Sequence, residues 1–383
     1  MRWRFTIREF PFKDPATDRA VWLAHLLTAL MRPAIPEAAP GFAYIGNAPG
    51  VGKGLLAHAV AIIATGRPIP ATSYPLDKDE ARKAKVTLAL AGVQLVLFDD
   101  LDEGQSYGNG PLDSMITETT IGNERILGTM QPIGEIHLRP TWCLTGNNLT
   151  PARDAHRRWL VCNLVTELEH PEERQVERED LLDQIHHHRG SLLRDALIIL
   201  KAHALAGSPK GDWAPLGSFY KWDKVVRGAV WYATGCDCNQ TRREAANESP
   251  ERLRKLALLE ALEEIQNIKT PVYATDEEGV AQTDTDGNKV VKEYKQPHAH
   301  GLTTSEIMTL AAESEEWRTG KEKYTHPNLR TAVLAFPAQG REAPAQVLGS
   351  VIAGLKNKTV GGYRLVKHGE RNHSAVWLVT RPQ

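Results

Sequence analysis

The chain has 383 residues, of which 42% are hydrophobic and 24% charged, and its formal net charge at pH 7 is −1. This length and composition predict two or three domains with a full hydrophobic core, and they argue against a disordered or fibrous protein. A nearly neutral chain has to contact nucleic acid through local basic patches. No apolar run approaches the ~20 residues of a membrane helix, and the N-terminus lacks a secretory apolar segment, so we expect a soluble, cytoplasmic protein.

An amphipathic helix is predicted near the start of the chain, over Pro15–Met31. Its apolar residues recur at helical spacing, and Pro33 and Pro36 follow its end. We expect residues 1–40 to form a helical lead that packs on the edge of the domain that follows.

A phosphate-binding loop is predicted between a short strand, Phe42–Ile45, and a helix with apolar spacing that ends near Gly66. Gly50 and Gly52 permit backbone angles that turn successive N–H groups toward one point. The start of the helix adds partial positive charge, and Lys53 is long enough to reach terminal phosphates. The segment therefore predicts a triphosphate site, with these candidate ligands: Asn47, Ala48, Pro49, Gly50, Val51, Gly52, Lys53, Gly54 and Leu55.

Two positions of this loop depart from the common pattern, in which glycine opens the loop and Ser or Thr follows the lysine. Asn47 stands at the first of these places and Gly54 at the last. Without the hydroxyl group, a direct ligand to Mg²⁺ is missing. Either a water held by an acidic residue takes that place or nucleotide binding is weak. A glycine-rich turn with a solvent-exposed lysine is the alternative interpretation.

An acidic pair follows the next predicted strand. The largely apolar run Val93–Phe98 is typical of a strand covered on both faces, and it ends in Asp99 and Asp100. Magnesium-assisted phosphoryl transfer needs one carboxylate near the metal and another group that orients the attacking water. We assign Asp99 to the metal and Asp100 to the water. The alternative is a surface turn that begins with two aspartates.

Polar amides end a third predicted strand, Thr141–Thr145, which follows a predicted hairpin over Arg125–Arg139. Asn147 could hydrogen-bond the attacking water or the γ-phosphate, and Asn148 competes for that role. Asparagines at a strand end are also common as plain turn residues.

Two arginines, Arg157 and Arg158, precede a further apolar strand. An arginine at the rim of the domain could reach the phosphates of a neighbouring subunit and stabilise their charge. A surface ion pair is the alternative.

The ordered set NAPGVGK, LFDD, TGNN and HRR, within residues 10–235, resembles the AAA+ ATPases. More narrowly, it is similar to the helicase-type ATPase module of phage, plasmid and integrative-element primase-helicases, akin to superfamily III helicases. The resemblance implies a three-layer α/β core in a ring, usually a hexamer, with ATP and Mg²⁺ between subunits. No primase-like domain precedes the module, so priming chemistry is not supported.

The resemblance also implies roles for single residues. Lys53 matches the phosphate lysine and Asn147 the sensor asparagine. Asp99 and Asp100 match the acidic pair, and Arg157 or Arg158 matches the arginine finger. The hairpin resembles a family element that points into the ring channel, which makes Arg125 a candidate DNA ligand.

A helical lid is predicted over residues 173–236, after an α/β core over residues 41–172. Its predicted helices are Leu181–His188, Ser191–Ala206 and Ser218–Thr234. Arg227 stands where family members often keep a lid arginine that faces the nucleotide; a solvated helix face is the alternative. Near the end of the lid, Cys236 and Cys238 lack a second pair at zinc-finger spacing, which favours reduced thiols over a metal site.

The C-terminal part is predicted to hold a linker helix and exposed insertion over residues 237–301, and a winged-helix domain over residues 302–383. Helix, helix and then hairpin is the order of a winged helix, and residues 350–383 are rich in Lys and Arg. A local basic patch suits phosphate contacts, whereas a protein-binding winged domain is the alternative. The candidate DNA ligands here are Lys356, Lys358, Arg364, Lys367 and Arg371.

These features predict a DNA-dependent ATPase that acts as a ring-forming replicative helicase or replication initiator of a mobile genetic element. It would bind single-stranded DNA in the channel and duplex DNA at the winged helix. A separate primase or another replication protein is a candidate partner. A helicase loader or nucleotide switch that does not unwind DNA is one alternative. A non-catalytic DNA-binding protein with a degenerate ATPase is another.

Overall fold

The computed structural model describes residues 6–108, 110–122, 134–152, 155–173, 180–276, 280–283, 285, 288–316, 322–336 and 345–382. The chain divides into two compact units, Met1–Ser249 and Pro250–Gln383. None of the described helices combines the length and apolar character needed to cross a bilayer.

The first unit is built on a parallel sheet with the strand order β2-β6-β1-β8. Strand β6 is buried at every residue, which is typical of a central strand with both faces covered. Its neighbours β1 and β2 bring the phosphate-loop strand and the acidic strand to either side of it. The strands of this unit are β1 Gly41–Gly46, β2 Leu95–Leu101, β3 Ser106–Tyr107, β4 Thr120–Ile121, β5 Ile136–His137, β6 Thr141–Asn147, β7 Thr150–Pro151 and β8 Trp159–Leu164.

Helices surround this sheet. Tyr220–Trp222, Asp223–Arg227 and Gly228–Thr234 follow one another directly and form one helix, α6, whose middle part is a π-helical turn. The remaining helices of the unit are α1 Pro15–Met31, α2 Lys53–Thr65, α3 Lys78–Leu90, α4 Gly110–Thr117, α5 Leu181–Leu205 and α7 Gln240–Glu248.

Helix α1 is part of the core of this unit, as its apolar spacing predicts. Trp22 donates from Nε1 to the backbone oxygen of Leu56 on α2 over 3.1 Å. The Nδ1 atom of His25 lies 2.7 Å from the hydroxyl of Tyr44 on β1. Because His25 is fully buried, its pKa falls to about 3, and the ring is neutral. The helical lead therefore packs directly on the phosphate-loop strand and helix.

One helix prediction for this unit was wrong, and one helix was not predicted. The unpredicted helix is α3, Lys78–Leu90, and the side chain of Asp77 caps its first turn by accepting from two backbone N–H groups. The two lid helices predicted on either side of residue 190 are one helix, α5. Glycine inside a helix costs about 1 kcal/mol relative to alanine, and burial of Ile185 and Leu192 on either side of Gly190 offsets that cost.

Most of the predicted hairpin over Arg125–Arg139 lies outside the described residues, and so does Arg125 itself. The described part is its base, where β4 and β5 pair antiparallel, with Thr120 opposite His137 and Ile121 opposite Ile136.

The second unit has its own sheet and its own apolar core. Its main sheet is antiparallel with the strand order β11-β16-β15-β14, and β9 and β10 form a separate exposed hairpin. The helices are α8 Pro250–Gln266, α9 Thr304–Ala312, α10 Pro327–Leu334 and α11 Ala345–Leu355. The strands are β9 Thr270–Tyr273, β10 Val291–Lys295, β11 Leu302–Thr303, β12 Ser314–Glu316, β13 Glu322–Tyr324, β14 Thr359–Val360, β15 Tyr363–Arg371 and β16 Ser374–Thr380.

The ends of two elements in this unit are set by local chemistry. Helix α9 begins with a capping box, in which Thr303 and Glu306 each accept from the other's backbone N–H. Strand β15 continues to Arg371, so the connection to β16 is short. Asn372 and His373, with φ of 49° and 61°, make the whole turn into β16. Two successive residues in the left-handed region are typical of a two-residue hairpin turn.

Candidate functional site

The loop between β1 and α2 has the backbone of a phosphate cradle. Gly50 and Gly52 have φ of 75° and 98°, in the left-handed region that favours glycine. Gly52 is the residue before the first turn of α2, so the free N–H groups of that helix start at this loop. Phe10 covers the loop from outside, because a Cβ added at Gly52 would lie 2.6 Å from its ring.

Lys53 begins α2, and its side chain lies in the site. Only 8% of the residue is exposed. Its Nζ donates to Asn147 Oδ1 over 2.6 Å and to the backbone oxygen of Ala48 over 3.4 Å. Burial lowers the pKa of Lys53, while the charges of Asp100 and Asp99 oppose that shift. Both hydrogen-bond acceptors are neutral, so an anionic group at this place would stabilise the ammonium.

The acidic pair lies in an irregular part of strand β2 and does not follow its end. Phe98 pairs with Leu144 and Leu101 with Gly146, so Asp99 and Asp100 together lie opposite Thr145 alone. Asp100 has φ of 52°, and both aspartates are exposed. An extra residue of this kind redirects side chains at a strand edge. The prediction that the strand stops at Phe98 was therefore wrong, and the bulge is what turns both carboxylates outward.

Thr145 fixes this bulge from the neighbouring strand. Its hydroxyl donates to Asp99 Oδ1 over 2.6 Å and accepts from the backbone N–H of Asp100 over 2.8 Å. One oxygen of Asp99 is thereby oriented, which leaves the other for a ligand. Thr145 was not among the predicted site residues, although it belongs to the same TGNN motif as Asn147.

Gly54 lies next to the carboxylate of Asp99. A Cβ added at Gly54 would lie 3.9 Å from Asp99 Oδ1, in ordinary van der Waals contact. A hydroxyl at this position would therefore stand beside the carboxylate. A site with one or two carboxylates suits Mg²⁺, which takes its other ligands from phosphate oxygens and water. The donor set thus fits the metal, with Asp99 as the protein ligand and no direct ligand from position 54.

Asn47, which replaces the first glycine of the common loop pattern, ties the loop to the chain beyond β8. Its Nδ2 donates to the backbone oxygen of Thr166 over 2.7 Å, and its Oδ1 accepts from the Thr166 N–H over 3.0 Å. A side-chain amide carries a donor and an acceptor, so it can hydrogen-bond both the carbonyl oxygen and the N–H of one residue. Asn47 therefore anchors the loop, a role that glycine could not fill.

The two asparagines after β6 differ in what they contact. Asn147 ends the strand, is 8% exposed and accepts from Lys53. Asn148 has φ of 50°, and its Nδ2 donates to Glu103 over 2.8 Å. The structure therefore brings Asn147, and not Asn148, to the lysine.

The two candidate finger arginines also differ. Arg158 is half-buried and its Nη1 pairs with Asp113 of α4 over 3.2 Å. Arg157 is exposed, and within the described part of the chain its side chain forms no ion pair. Arg242 of α7 is half-buried and donates to the backbone oxygens of His156 and Arg157. Arg242 thus holds the carbonyl groups of the turn that carries Arg157, while the guanidinium of Arg157 is open to solvent.

Arg227 lies in a different environment from the one predicted for it. Its side chain is fully buried and forms hydrogen bonds of 2.7 to 2.8 Å with both oxygens of Asp237 and one of Asp223. It also stacks 4.1 Å from the ring centre of Trp213. These contacts link the π-helical turn of α6 to the start of α7. Its role as a nucleotide ligand stays a prediction, and nothing in these contacts brings it to Lys53.

The predicted DNA ligands of the second unit fall into two groups. Lys367 pairs with Glu370 and Arg371 with Glu306, each over 2.6 Å. Lys356, Lys358 and Arg364 are exposed, and no ion pair joins them to another described residue. These three residues follow α11 and begin β15, where Thr359 lies opposite Arg364. We call them the β14 basic cluster.

The first unit is thus a parallel α/β domain in which a glycine-rich loop with Lys53, the acidic pair of β2 and Asn147 lie at the carboxyl edge of the sheet. Neither a family model nor a curated protein matches the sequence. Among solved structures, the apo C-terminal region of NrS-1 is 16% identical, with a TM-score of 0.37 over 68% of this chain. JCV helicase with a bound acetamide compound is 12% identical, with a TM-score of 0.24 over 60% of the chain and 64% of its own.

A third structure, "SCCmec type IV Cch - active helicase", is 10% identical, with a TM-score of 0.38 over 99% of this chain and 69% of its own. The chain spans 57% of the first NrS-1 structure and 50% of a second one. At these identities and TM-scores the likeness does not define what this chain does, so function has to be inferred from its own residues.

Proposed function

We propose that this chain is a Mg²⁺-dependent ATPase of the AAA+ class that acts on DNA, as a ring-forming replicative helicase or replication initiator of a mobile genetic element. The observation that carries this proposal is the contact between Lys53 and Asn147, beside the carboxylates of Asp99 and Asp100. Asn147 and the two aspartates come from the neighbouring strands β6 and β2, and Lys53 begins the helix after β1. They meet at the carboxyl edge of one sheet, where ligands of open α/β sheets bind.

Each of these residues has a task in the proposed reaction. When bound, ATP with Mg²⁺ supplies the phosphoryl group that water accepts. The N–H groups of residues 50–53 and the ammonium of Lys53 bind the phosphates. Asp99, oriented by Thr145, holds the metal. Asp100 accepts a hydrogen bond from the attacking water and Asn147 donates one to it or to the γ-phosphate.

A ring is proposed because the resemblance to AAA+ ATPases implies ATP between subunits, and this chain carries an exposed arginine that can serve a neighbouring site. Arg157 is exposed at the rim of the unit, and its turn is held rigidly by Arg242. A guanidinium of this kind can reach the phosphates of a neighbouring subunit and stabilise developing charge.

DNA binding is proposed for the second unit, which we interpret as a winged-helix domain. Its order of β11, α9, α10, α11 and the β14-β15-β16 hairpin sheet is consistent with that architecture. Exposed cations without acidic partners are suited to phosphate contacts, and the β14 basic cluster supplies three of them.

The second candidate is a helicase loader, a nucleotide switch or a DNA-binding protein without hydrolysis. Gly54 supports it, because the missing hydroxyl removes a direct Mg²⁺ ligand next to Asp99. A protein of this kind would bind DNA, and a loader would also bind ATP, but none would unwind a forked duplex.

The first test is ATP hydrolysis by the full chain in Mg²⁺, with and without single-stranded DNA. We expect hydrolysis that DNA stimulates and that Lys53→Ala abolishes. Lys201→Ala, an exposed lysine on α5, is the matched control and should behave as the wild type. Absence of hydrolysis in the wild type with DNA would refute the ATPase.

The second test separates the two candidates. A helicase unwinds a forked duplex when ATP is present, whereas a loader leaves it intact. Electron microscopy with a slowly hydrolysed ATP analogue and DNA would report the ring, its subunit number and the bound strand together.

A further inference from the structure

A second cavity lies at the opposite end of the parallel sheet from Lys53. It has a volume of about 350 Å³. Gln94 and Arg139, which stand just before strands β2 and β6, contribute to its wall, so the cavity is at the amino ends of these strands. Its lining residues are Ala29, Leu30, Arg32, Pro33, Ala64, Leu88, Gly92, Val93, Gln94, His137, Leu138 and Arg139. We call it the Arg32–Arg139 cavity.

Two guanidinium groups line this cavity, and none of the described residues in its wall is a carboxylate. Arg32 is 5% exposed. Its Nε donates to the backbone oxygen of Pro140 over 3.3 Å, and its Nη1 donates to the backbone oxygens of Ile35 and Glu37 over 2.5 and 3.0 Å. These carbonyls fix the side chain without neutralising it. Within the described residues, its Nη2 donates no hydrogen bond.

Arg139 is the second cation, and it is less well satisfied. Its Nη2 lies 3.3 Å from Nδ1 of His137. Its Nε is inaccessible to solvent and has no hydrogen-bond partner. Burial, together with the charge of Arg139, lowers the pKa of Arg32 to about 10. The two guanidinium groups therefore repel each other across a site that offers them no counter-charge.

Such an arrangement is costly unless an anion completes it. Removing a charge from water without a paired partner costs several kcal/mol, on the order estimated for buried ions. Guanidinium groups bind phosphate and carboxylate through paired N–H donors. Here the donors come from two separate segments and a neighbouring imidazole, a spread that suits a tetrahedral phosphate better than a planar carboxylate. Leu30, Leu88 and Val93 add an apolar wall.

We propose that the Arg32–Arg139 cavity binds a phosphate group, with Arg139 and Arg32 as its cationic ligands. The phosphate belongs either to a small phosphate ester, whose organic part lies on the apolar wall, or to the backbone of a nucleic acid. This site is separate from the loop at Lys53, and the proposal does not depend on ATP hydrolysis.

The test measures phosphate binding after the ammonium of Lys53 has been removed, and it compares variants that differ only in the second cavity or at a control position. In the full chain with Lys53→Ala, calorimetric titration uses three probes: inorganic phosphate, phenyl phosphate and a short single-stranded DNA. Arg139→Gln is then added, because Arg139 is only half-buried and its loss relieves a repulsion, so the fold should persist. Arg194→Gln, at an exposed position on α5, is the matched control, and Arg139→Lys keeps the charge without the paired donors.

We expect Arg139→Gln to weaken binding of at least one probe by about tenfold or more, the effect of losing a charged hydrogen-bond donor. Arg194→Gln should leave the affinity unchanged, and the affinity of the Arg139→Lys protein should lie between those two. A small ester is indicated if phenyl phosphate binds more tightly than inorganic phosphate and loses the most affinity on Arg139→Gln. Nucleic acid is indicated if Arg139→Gln weakens the binding of the DNA probe alone. Equal affinities of the Arg139→Gln and Arg194→Gln proteins for all three probes would overturn the proposal.

Discussion

Lys53 donates a hydrogen bond from Nζ to Asn147 Oδ1 over 2.6 Å. The acceptor is a neutral amide, and the lysine is 8% exposed. An amide at this point holds the ammonium in the site without competing strongly with an anionic phosphate. A carboxylate would compete, because its negative charge attracts the ammonium as the charge of a phosphate does.

The hydrogen bond between Lys53 and Asn147 predicts different effects for two substitutions of Asn147. Asn147→Asp should raise the dissociation constant for ATP with Mg²⁺ by about tenfold or more, because a buried Lys53–Asp pair replaces the phosphate and the new charge repels it. Asn147→Ala should leave binding within a few-fold of the wild type and slow hydrolysis. Titration with a fluorescent ATP analogue measures binding. Asn148→Ala, which loses the contacts with Glu103 and with the backbone oxygen of Asn47 but none with Lys53, is the control, and unchanged binding by Asn147→Asp would contradict the assigned role.

Gly54 predicts that Mg²⁺ binding can be improved. Gly54→Ser places a hydroxyl beside Asp99, because the new Cβ meets Asp99 Oδ1 at 3.9 Å and no closer neighbour. We expect a lower Mg²⁺ concentration for half-maximal ATP hydrolysis, by roughly three- to tenfold for one added ligand. Gly190→Ser is the matched control, since a Cβ there meets nothing within 4 Å and the gain in helix propensity is the same. An equal Mg²⁺ requirement in all three proteins would show that position 54 does not face the metal.

Much of the site follows from the sequence because glycine spacing and strand ends are local signals. Gly50, Gly52 and Lys53 form the expected loop between strand and helix, and Asn147 ends the strand next to the acidic one. The bulge at Asp99 and Asp100 could not be predicted, because it depends on a hydrogen bond to Thr145 across a strand pairing that the sequence does not reveal.

The helices show the same limit. The predicted break near Gly190 was wrong because packing on either side outweighs the propensity of one glycine. Helix α3 was missed because its residues are mostly polar, although Asp77 followed by Asp79 and Glu80 is a start signal that could have been recognised. The burial of Arg227 depends on Asp237, ten residues away in a region where no regular element was predicted.

The exposed guanidinium of Arg157 predicts activity in mixtures. If Arg157 acts on a neighbouring subunit, the Lys53→Ala protein should be inactive alone and the Arg157→Ala protein should keep only a small residual rate. Mixed together they should recover part of the wild-type hydrolysis rate, because some interfaces then combine an intact loop with an intact arginine. Arg158→Ala should instead lower stability by about 1 kcal/mol, since Arg158 forms a half-buried ion pair with Asp113. No recovery on mixing would exclude Arg157 as a group acting between subunits.

Arg242 is expected to support Arg157 by fixing its turn. Arg242→Ala should lower kcat while the KM for ATP changes little, since the residue contacts the backbone of His156 and Arg157. If Arg242 has a purely structural role, its loss should lower kcat further in the Arg157→Ala protein. If Arg242 acts by positioning Arg157, its loss should leave kcat of the Arg157→Ala protein unchanged. The measurement is steady-state hydrolysis by the two single variants and the double variant.

The β14 basic cluster predicts a difference among the basic residues of the second unit. Replacing Lys356, Lys358 and Arg364 together by glutamine should weaken duplex DNA binding and reduce the slope of log affinity against log salt by up to about 3, near one per phosphate contact. Replacing Lys367 and Arg371 should have a smaller effect, because each is already paired with a glutamate. Fluorescence anisotropy across a range of KCl concentrations measures both. Equal slopes for the two variants would place the contact elsewhere.

Asp18 predicts how the stability of the first unit depends on pH. Its carboxylate accepts from the backbone N–H groups of Asp14 and Asn163, each over 2.8 Å. Burial nevertheless raises the pKa of Asp18 to about 7, well above the value of about 3.9 in an unfolded chain. Between these values the folded protein holds a proton that the unfolded chain has lost, so the free energy of unfolding falls as pH rises from about 4 to about 7.

Asp18→Asn removes this titratable group. Any loss in the free energy of unfolding that the new amide N–H of asparagine causes is the same at every pH. The stability of the wild type relative to this variant should therefore be greater at pH 5 than at pH 8, by about 2 kcal/mol. Urea unfolding followed by tryptophan fluorescence measures the difference. Asp183→Asn, at an exposed position on α5, should show no such change. A wild-type advantage that is equal at both pH values would mean that Asp18 is already ionised in the folded protein at pH 5, with its two backbone donors outweighing its burial.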